Sequence, residues 1–336
     1  MTFGDIEAQK AVQTLGLLLI DGFALMSYAS VIEPYRAANI LAGRELYRWT
    51  HISTGAAGMI ASNGANFLAD RTVAQPLDCD VLFVFAAGDP SAFADNATLA
   101  WLRRIALTKA VLVGVSGGPF ILARAGLLDG YRATIHWEHR PALIERYPMI
   151  NVEPGLYVID RRRVTCAGGT AGLDLAIELI ERDQGHALAV KVSDWFIRTE
   201  ARSAAGPQRL SLRERYRLRN DRVLKTLAQM ERAIEKPLAR SDLASLAGVS
   251  VRQLERLFSE HLNETIDQSY RRIRLEKADQ LLRTTNLSVT NVAIACGFRS
   301  TSHFSRTFRS AFGVPPTHAG TRQRGSSLTV SDKESG

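Results

Sequence analysis

The stretch 241-SDLASLAGVSVRQLERLFSEHL-262 returns in outline as 288-SVTNVAIACGFRSTSHFSRTFRSAF-312, at an offset of 49 to 50 residues. In each copy a short apolar helix is predicted to end at a glycine, Gly248 or Gly297, because glycine adopts the left-handed conformation that closes a helix. A serine, Ser250 or Ser300, follows as the predicted N-cap of a second helix. The pattern predicts a helix-turn-helix that occurs twice in the chain.

The second helix of a helix-turn-helix enters the major groove of DNA and presents its early residues to the bases. Apolar residues at spacings of three and four turn inward, and these are Leu254, Leu257, Phe258, Phe304 and Phe308. The residues that we predict to contact DNA are Val251, Arg252, Gln253, Arg256, Ser300, Thr301, Ser302, His303 and Arg306. Arginine pairs with guanine and glutamine with adenine, so we expect Arg252 to contact a base. For Arg256 and Arg306, base contact, phosphate contact and ion pairing are all open.

The basic surplus of the chain lies in the part that carries the repeat. The net charge is +8, and residues 211–325 hold 21 lysine and arginine residues against 11 aspartate and glutamate residues. Residues 1–210 hold 20 against 21. A neutral module followed by a basic one indicates that only the second meets a polyanion. The alternative for the repeat is a helical dimerisation module with a solvated basic face.

The length of 336 residues leaves room for two domains. The composition, 46% apolar and 23% charged, is that of a globular protein. No apolar run reaches the roughly 18 residues of a membrane helix, and the N-terminus lacks the pattern of a signal peptide. We therefore expect a cytoplasmic protein. Cys79, Cys166 and Cys296 are far apart among apolar neighbours, so we expect buried thiols, with neither a disulfide nor a metal or cofactor site.

The first part of the chain alternates apolar runs with helical periodicity, which predicts an α/β domain with a parallel sheet covered by helices. Strands are predicted at 14–20, 80–87 and 110–115, with weaker ones at 134–137 and 152–153 and a hairpin over 157–166. Helices are predicted at 25–41, 91–107, 120–127, 172–182, 186–198, 219–234 and 265–285. We place the domains at 12–200 and 214–320, with a linker over 201–213 and a disordered tail over 324–336.

Gly114-Val115-Ser116-Gly117-Gly118 satisfies G-x-S-x-G between a predicted strand and a helix, which is the context of a nucleophile elbow. Taken alone, this motif indicates a hydrolase. The chemistry also requires a base beside the serine and an orienting carboxylate. His136 and Glu33 are the candidates.

Residues from about 219 to 318 resemble the DNA-binding domain of the AraC/XylS family of bacterial transcription regulators. The matching pieces are SDLASLAGVSVRQLERLF, RLEKADQLL and VTNVAIACGFRSTSHFSRTFRSAFGVPP. The resemblance implies two helix-turn-helix units on one rigid helix, reading successive major-groove segments of promoter DNA. It also implies RNA polymerase as a partner and a homodimer. Ala319-Gly320 depart from the aromatic and arginine that the family usually carries there.

Residues 14–185 resemble the DJ-1/PfpI branch of the class I glutamine amidotransferase-like fold, which implies a flavodoxin-like sheet. The resemblance rests on the opening strand and DGF turn, Glu33, Gly88, VSGGPFILARAGLLDG and ATIHW. In that family the elbow residue is a cysteine supported by the glutamate, and the proteolytic members carry a histidine at the next position. Here Ser116 and Gly117 occupy those positions. We therefore predict that this domain is not an enzyme.

The combination resembles a subgroup of regulators that respond to amino acids, carnitine or glycine betaine, which implies that the former catalytic cleft binds an effector. The elbow amides suit a carboxylate, and acidic and aromatic side chains suit a cationic amine. The predicted effector-binding residues are Glu33, Gly88, Ser116, Gly117, His136, Trp137 and Glu138. The leading hypothesis is thus an effector-responsive transcriptional activator. The rival hypothesis is a hydrolase that uses Ser116 and His136 and carries a DNA-binding domain.

Overall fold

A computed structural model describes residues 11–319 of the chain, apart from residues 56 and 286. These residues form two compact units that divide after Gln208. The tail predicted at 324–336 lies outside the described residues. No helix within the described residues has the length and apolar content needed to cross a bilayer.

The first unit is built on a seven-stranded sheet, parallel except for one edge strand. The strands of the unit are β1 (Gln13–Leu19), β2 (Tyr47–Ser53), β3 (Gly58–Ile60), β4 (Asn66–Leu68), β5 (Arg71–Thr72), β6 (Val81–Ala86), β7 (Val111–Ser116), β8 (Arg132–Ala133), β9 (Asn151–Val152), β10 (Tyr157–Asp160) and β11 (Arg163–Cys166). The sheet order is β10-β11-β7-β6-β1-β2-β5, with β10 antiparallel to β11. The predicted α/β fold with a parallel sheet is confirmed, and so is the hairpin.

Helices cover both faces of this sheet, because its central strands are apolar on both sides. They are α1 (Leu25–Ala42), α2 (Asn96–Ala106), α3 (Gly118–Arg124), α4 (Arg140–Arg146), α5 (Ala171–Gln184) and α6 (His186–Trp195). One core joins the sheet to α1, α5 and α6 through residues such as Val31, Leu175 and Val192. The other joins it to α2 and α3 through Leu102 and Phe120.

Two element predictions for the first unit are wrong. The helix predicted at 91–107 is divided into a 3-10 turn, Pro90–Ala92, and α2, because the Asp95 carboxylate caps α2 by accepting from the amide of Ala97. The strand predicted at 134–137 lies two residues earlier, as β8. The amide of Thr134 instead donates to the Thr165 hydroxyl at 2.8 Å.

The sequence patterns missed β2, the β3–β4 hairpin, β5 and α4. β2 has the sequence YRWTHIS, and its polar residues obscure the apolar run that marks a buried strand. The structure uses one of those polar side chains: His51 contacts Tyr28 through Nε2 at 2.8 Å and Asp70 through Nδ1 at 3.2 Å.

The segment predicted as a linker over 201–213 is not a free connection, because part of it is bound to the first unit. Residues up to Gln208 contact the first unit, where Arg202 pairs with Asp174 and the carbonyl of Ala204 accepts from the amide of Leu156 at 2.7 Å. Ser211 caps a short helix, α7 (Leu212–Tyr216). The Gly-Pro composition that predicts a linker does not reveal these contacts, because their partners lie far away in sequence.

The second unit is helical and contains the doubled motif. Its remaining helices are α8 (Asp221–Arg232), α9 (Arg240–Ala247), α10 (Val251–Leu262), α11 (Ile266–Thr284), α12 (Val289–Ala295) and α13 (Thr301–Phe312). α9 and α10 form the first predicted helix-turn-helix, and α12 and α13 form the second. α11 contributes Ile266 and Ile273 to the core of the first half and Leu275 and Leu281 to the core of the second. The two halves therefore share one helix.

Candidate DNA-binding surface and effector cleft

The second helix of each helix-turn-helix, α10 or α13, is called its recognition helix. The first of them, α10, presents its early residues to solvent. Leu254 and Phe258 are fully buried in the first helical core, as their spacing predicts. Val251, Arg252, Gln253 and Arg256 are exposed. In α13, Phe304 and Phe308 are likewise buried, whereas Ser300, Ser302, His303 and Arg306 are exposed and Thr301 is half-buried. The inward and outward faces thus match the sequence pattern.

Two of the predicted DNA contacts also cap their own helices. The Ser250 hydroxyl accepts from the amide of Gln253 at 3.2 Å, and the Gln253 side-chain carbonyl accepts from the amide of Ser250 at 3.0 Å. This capping box fixes the Gln253 side chain through its carbonyl oxygen. The NH₂ group is left to donate hydrogen bonds to other molecules. In α13 the Ser300 hydroxyl accepts from the amide of His303 at 3.4 Å, so Ser300 is first a cap.

The three arginines of the recognition helices are not equivalent. Arg256 pairs with Glu260 at 3.5 Å, with both side chains more than half exposed. Within the described part of the chain, neither Arg252 nor Arg306 has an ion-pair partner or a hydrogen bond. An exposed pair of this kind is worth at most about 1 kcal/mol, so it restrains Arg256 weakly. Arg252 and Arg306 have unpaired guanidinium groups on the face that would meet DNA.

The turn before each recognition helix uses a glycine with positive φ, +67° at Gly248 and +73° at Gly297. A Cβ at Gly248 would meet open space. A Cβ at Gly297 would lie 2.6 Å from the carbonyl oxygen of Ile234 and 2.8 Å from the ring of Pro237. The second turn is therefore packed against the segment after α8, whereas the first is free.

In the first unit, Ser116 lies at the strand-to-helix turn that the G-x-S-x-G motif predicts. Its φ of 61° is unusual for a residue other than glycine. A Cβ at Gly114 would lie 2.7 Å from the nitrogen of Pro119, and one at Gly118 would lie 2.0 Å from the carbonyl oxygen of Val84. These contacts explain the glycines of the motif. Ser116 itself is only 7% exposed.

The candidate catalytic partners of Ser116 are not arranged as a triad. The amide of His136 donates to the carbonyl of Ser116 at 3.4 Å, which brings the two residues together through their backbones. The Nδ1 atom of His136 accepts from the amide of Glu138 at 3.4 Å, and burial lowers the pKa of His136. Glu33 pairs with Arg36 through Nε and Nη2 at 2.8 and 2.5 Å. Among the described residues, the Ser116 hydroxyl has no hydrogen bond.

The structure places residues around the elbow that the motifs did not indicate. A Cβ at Gly168, where φ is +81°, would lie 2.6 Å from the Cβ of Ser116 and 2.7 Å from the hydroxyl of Ser27. The same Ser27 hydroxyl accepts from the amide of Gly169 at 2.8 Å, and Ser30 donates to the carbonyl of Gly169 at 2.6 Å. The consecutive glycines after β11 were the available signal for this close approach.

A glycine turn and a histidine cluster also lie near the elbow, since the amide of Gly117 donates to the carbonyl of Ala86 and that of His136 to the carbonyl of Ser116. Gly88 follows β6 with a φ of +65°, as a tight turn requires. The ring of His136 lies 5.5 Å from the ring of Trp137 and 5.8 Å from that of His139. Burial, and then the neighbouring His136, lower the pKa of His139 to about 4. The predicted residues Glu33, Trp137 and Glu138 are half-buried.

A cavity of about 470 Å³ lies away from the elbow, between β10, α5 and the segment 204–205. Two ion pairs border it, Arg132 with Glu153 at 3.4 Å and Arg182 with Glu178 at 2.7 Å. Ser116, by contrast, is closely surrounded. The elbow motif and this cavity therefore lie in different places in the first unit.

Comparisons with known proteins cover both units. Residues 17–182 match the DJ-1/PfpI family, and residues 243–322 match a helix-turn-helix domain. The chain is 42% identical to the HTH-type transcriptional regulator GlxA of Rhizobium meliloti over 308 residues. This alignment covers 91% of this chain and 95% of that protein. Over 305 residues it is 42% identical to the HTH-type transcriptional regulator CdhR of Pseudomonas aeruginosa, covering 91% of this chain and 90% of that protein.

Shorter matches point the same way. Over 95 residues the chain is 43% identical to the transcriptional activator NphR of a Rhodococcus species, covering 27% of this chain and 28% of that protein. The solved structure of an AraC family transcriptional regulator from Pseudomonas putida is 25% identical, with a TM-score of 0.51, and covers 55% of this chain and 99% of that chain. The chain therefore belongs to the family of HTH-type transcriptional regulators that carry a DJ-1/PfpI domain followed by an AraC-type helix-turn-helix domain.

Proposed function

We propose that this protein is a transcriptional activator that binds promoter DNA through α10 and α13 and binds a small nitrogen-containing metabolite, an amino acid or a quaternary amine, in its first unit. The observation that carries the DNA-binding part is the pair of capped helices in two halves that share α11, each with an exposed arginine, Arg252 or Arg306, that has no partner among the described residues. The activator role is supported by the likeness of 95 residues of the chain to the activator NphR.

The residues proposed to contact DNA are those of the two exposed faces. Arg252 and Arg306 are proposed to reach base edges, because neither has to leave an ion pair to do so. Arg256 is proposed to contact phosphate, since its exchangeable pair with Glu260 costs little to open. Gln253 is proposed to offer its NH₂ group while its carbonyl stays in the capping box.

The effector is proposed to bind at the elbow. The amide of Gly117 already donates to the carbonyl of Ala86 at 2.8 Å, so the amide of Gly118 is the one proposed to meet a carboxylate. Glu33 would face the amine from α1. Ser116 then acts as a binding group, which agrees with the absence of a hydrogen-bonded base among the described residues. Contact with RNA polymerase and assembly into a homodimer belong to this proposal as the means by which the bound protein would activate transcription.

The DNA-binding part is tested by selecting duplexes from a random-sequence library with the full chain and measuring affinity at several salt concentrations. We expect Arg252→Ala and Arg306→Ala to weaken binding by about 1–3 kcal/mol each and to relax sequence preference at separate positions. Arg124→Ala, in the first unit, serves as the charge-matched control. If both recognition-helix variants bind the selected duplex as tightly as the control, the assigned surface is wrong.

The effector part is tested by the thermal stability of the full chain with L-arginine, L-carnitine or glycine betaine. All four tryptophans lie in the first unit, so tryptophan fluorescence follows the unit that would bind them. A ligand at 100 times its dissociation constant stabilises by about 2.7 kcal/mol. A melting temperature that no amino acid or quaternary amine raises would exclude this effector class.

The rival hydrolase function has one favourable observation, the elbow conformation of Ser116. It predicts turnover of ester or amide substrates that Ser116→Ala abolishes while DNA binding is retained. We expect no turnover by the unmodified chain, because a serine without a hydrogen-bonded base is a weak nucleophile.

A further inference from the structure

The segment of residues 202–208, called the strap below, is attached to the first unit at its beginning by a buried carboxylate. Asp174 in α5 has a side chain that is 2% exposed, and it is paired with both Arg198 and Arg202. Nε of Arg202 donates to Oδ2 of Asp174 at 2.9 Å, and Nη2 donates to the same oxygen and to the hydroxyl of Thr170 at 3.0 Å. The attachment is directional and its carboxylate is buried, whereas the side chain of Arg202 is 44% exposed.

The end of the strap is attached by an amide. The Nε2 atom of Gln208 donates to the carbonyl of Gly155 at 2.7 Å, to that of Ile135 at 3.0 Å and to the hydroxyl of Thr134 at 3.2 Å. Between the two attachments, the carbonyl of Ala204 accepts from the amide of Leu156 at 2.7 Å. A Cβ at Gly155 would lie 2.6 Å from that carbonyl oxygen, so the strap depends on a glycine beneath it.

Both attachments lie next to residues that contact the elbow. Thr170, a partner of Arg202, follows directly after Gly168 and Gly169, the loop that packs on Ser116. Ile135, a partner of Gln208, directly precedes His136, whose amide donates to the carbonyl of Ser116. A change in the elbow that moves either loop therefore moves an acceptor of the strap.

The strap is also incompletely held. The Oε1 atom of Gln208 is buried without a hydrogen-bond partner among the described residues, which penalises the docked conformation. The cavity of about 470 Å³ runs beneath Ala204 and Ala205, so the middle of the strap has open space on one side. Segments with few packed contacts open locally at low cost.

We propose that the strap is an effector-responsive latch, docked in this conformation of the chain and released when the elbow rearranges. Only residues 209 and 210 lie between the docked strap and the Ser211 cap of α7. Release of seven residues lengthens the free connection to the DNA-binding unit by about 25 Å of extended chain. The strap thereby sets the freedom of the second unit. This regulation rests on the proposed function, whereas the docking and its link to Ser116 do not.

The docking is tested by trypsin cleavage after Arg202 in the full chain, measured by mass spectrometry. Trypsin must accept the Arg202 side chain, which the docked strap holds on Asp174. We expect Gln208→Ala and Gly155→Ala to raise the rate of this cleavage by about tenfold or more, because each weakens the docking of the strap and leaves the pair of Arg202 with Asp174 to hold it alone. Ser203→Ala is the matched control, since its exposed side chain has no hydrogen bond within the described residues, and it should change the rate less than about twofold.

The link to the elbow is tested with Gly168→Ala, whose new methyl group would displace Ser116 or Ser27. We expect a selective rise of about tenfold in cleavage after Arg202. Cleavage after Arg163, which is buried in β11, measures global unfolding and should stay slow. Ser116→Gly is the second variant, because glycine accepts the positive φ and removes the contact with Gly168 without lowering stability.

A rise at Arg202 alone in the strap variants and in at least one elbow variant supports the proposal. Equal cleavage in Gln208→Ala, Gly155→Ala and the control overturns the docking. Unchanged cleavage in both elbow variants overturns the link. Neither measurement uses a ligand or DNA, so failure of the proposed function is recognised separately, by the thermal and duplex-binding tests above.

Discussion

The substitution Gly297→Ala gives the most direct test of the second helix-turn-helix. Its φ of +73° would place alanine in the left-handed region, at a cost of about 1–2 kcal/mol. The added Cβ would also lie 2.6 Å from the carbonyl oxygen of Ile234 and 2.8 Å from the ring of Pro237. Overpacking of this kind costs about 1–3 kcal/mol. We therefore expect Gly297→Ala to destabilise the surrounding helices by about 2–5 kcal/mol.

Gly248→Ala is the matched control, because it has nearly the same φ, +67°, and no atom within 4 Å of the new Cβ. Only the conformational cost applies, so we expect about 1–2 kcal/mol. Hydrogen exchange of the full chain, followed in peptides from α9–α10 and from α12–α13, gives the local opening free energy of each half. Equal losses for the two variants would refute the steric argument, and so would a larger loss for Gly248→Ala.

Three further predictions concern single side chains. Arg256→Ala should weaken binding of a selected duplex less than Arg252→Ala does, by about 1 kcal/mol or more, as judged by fluorescence anisotropy at fixed salt. The pKa of His139 is about 4 in the folded chain, against an ordinary value of 6.5 that applies to the unfolded chain. The stability that comes from burying the neutral ring is therefore complete above about pH 6.5 and is lost as the pH falls through about 4. Tryptophan-monitored melting should show this loss, up to about 3 kcal/mol, and His139→Gln should flatten the profile. Ser116→Val should destabilise the first unit by about 1–3 kcal/mol, since a β-branched residue tolerates positive φ poorly, whereas Ser116→Gly should be neutral within about 0.5 kcal/mol; a stable Ser116→Val chain would contradict the strained elbow.

The features that the sequence predicts well are those with a local physical cause. Ser250 and Ser300 cap helices because their hydroxyls reach amides three residues away, and Phe258 and Phe308 are buried because helical periodicity places them inward. The elbow of Ser116 follows from the glycines beside it. Spacing and residue type suffice for each of these.

The features that the sequence missed depend on contacts between distant residues. Gln208 lies in a stretch whose composition is typical of a linker, yet its amide bonds to the carbonyl of Gly155, 53 positions away. The resemblance that singled out Glu33 likewise gave no sign of its ion pair with Arg36, one helical turn further on. Pairings of this kind are fixed by the packing of the fold and leave no periodic signal.

The shared helix α11 has a consequence for how DNA specificity can diverge. Its 19 residues span about 28 Å and contribute to both helical cores. They therefore fix the separation of the two recognition helices, α10 and α13. Arg252 and Arg306 lie outside those cores. One half of the recognised sequence can therefore change by substitution in a single recognition helix, while the spacing between the halves is inherited unchanged.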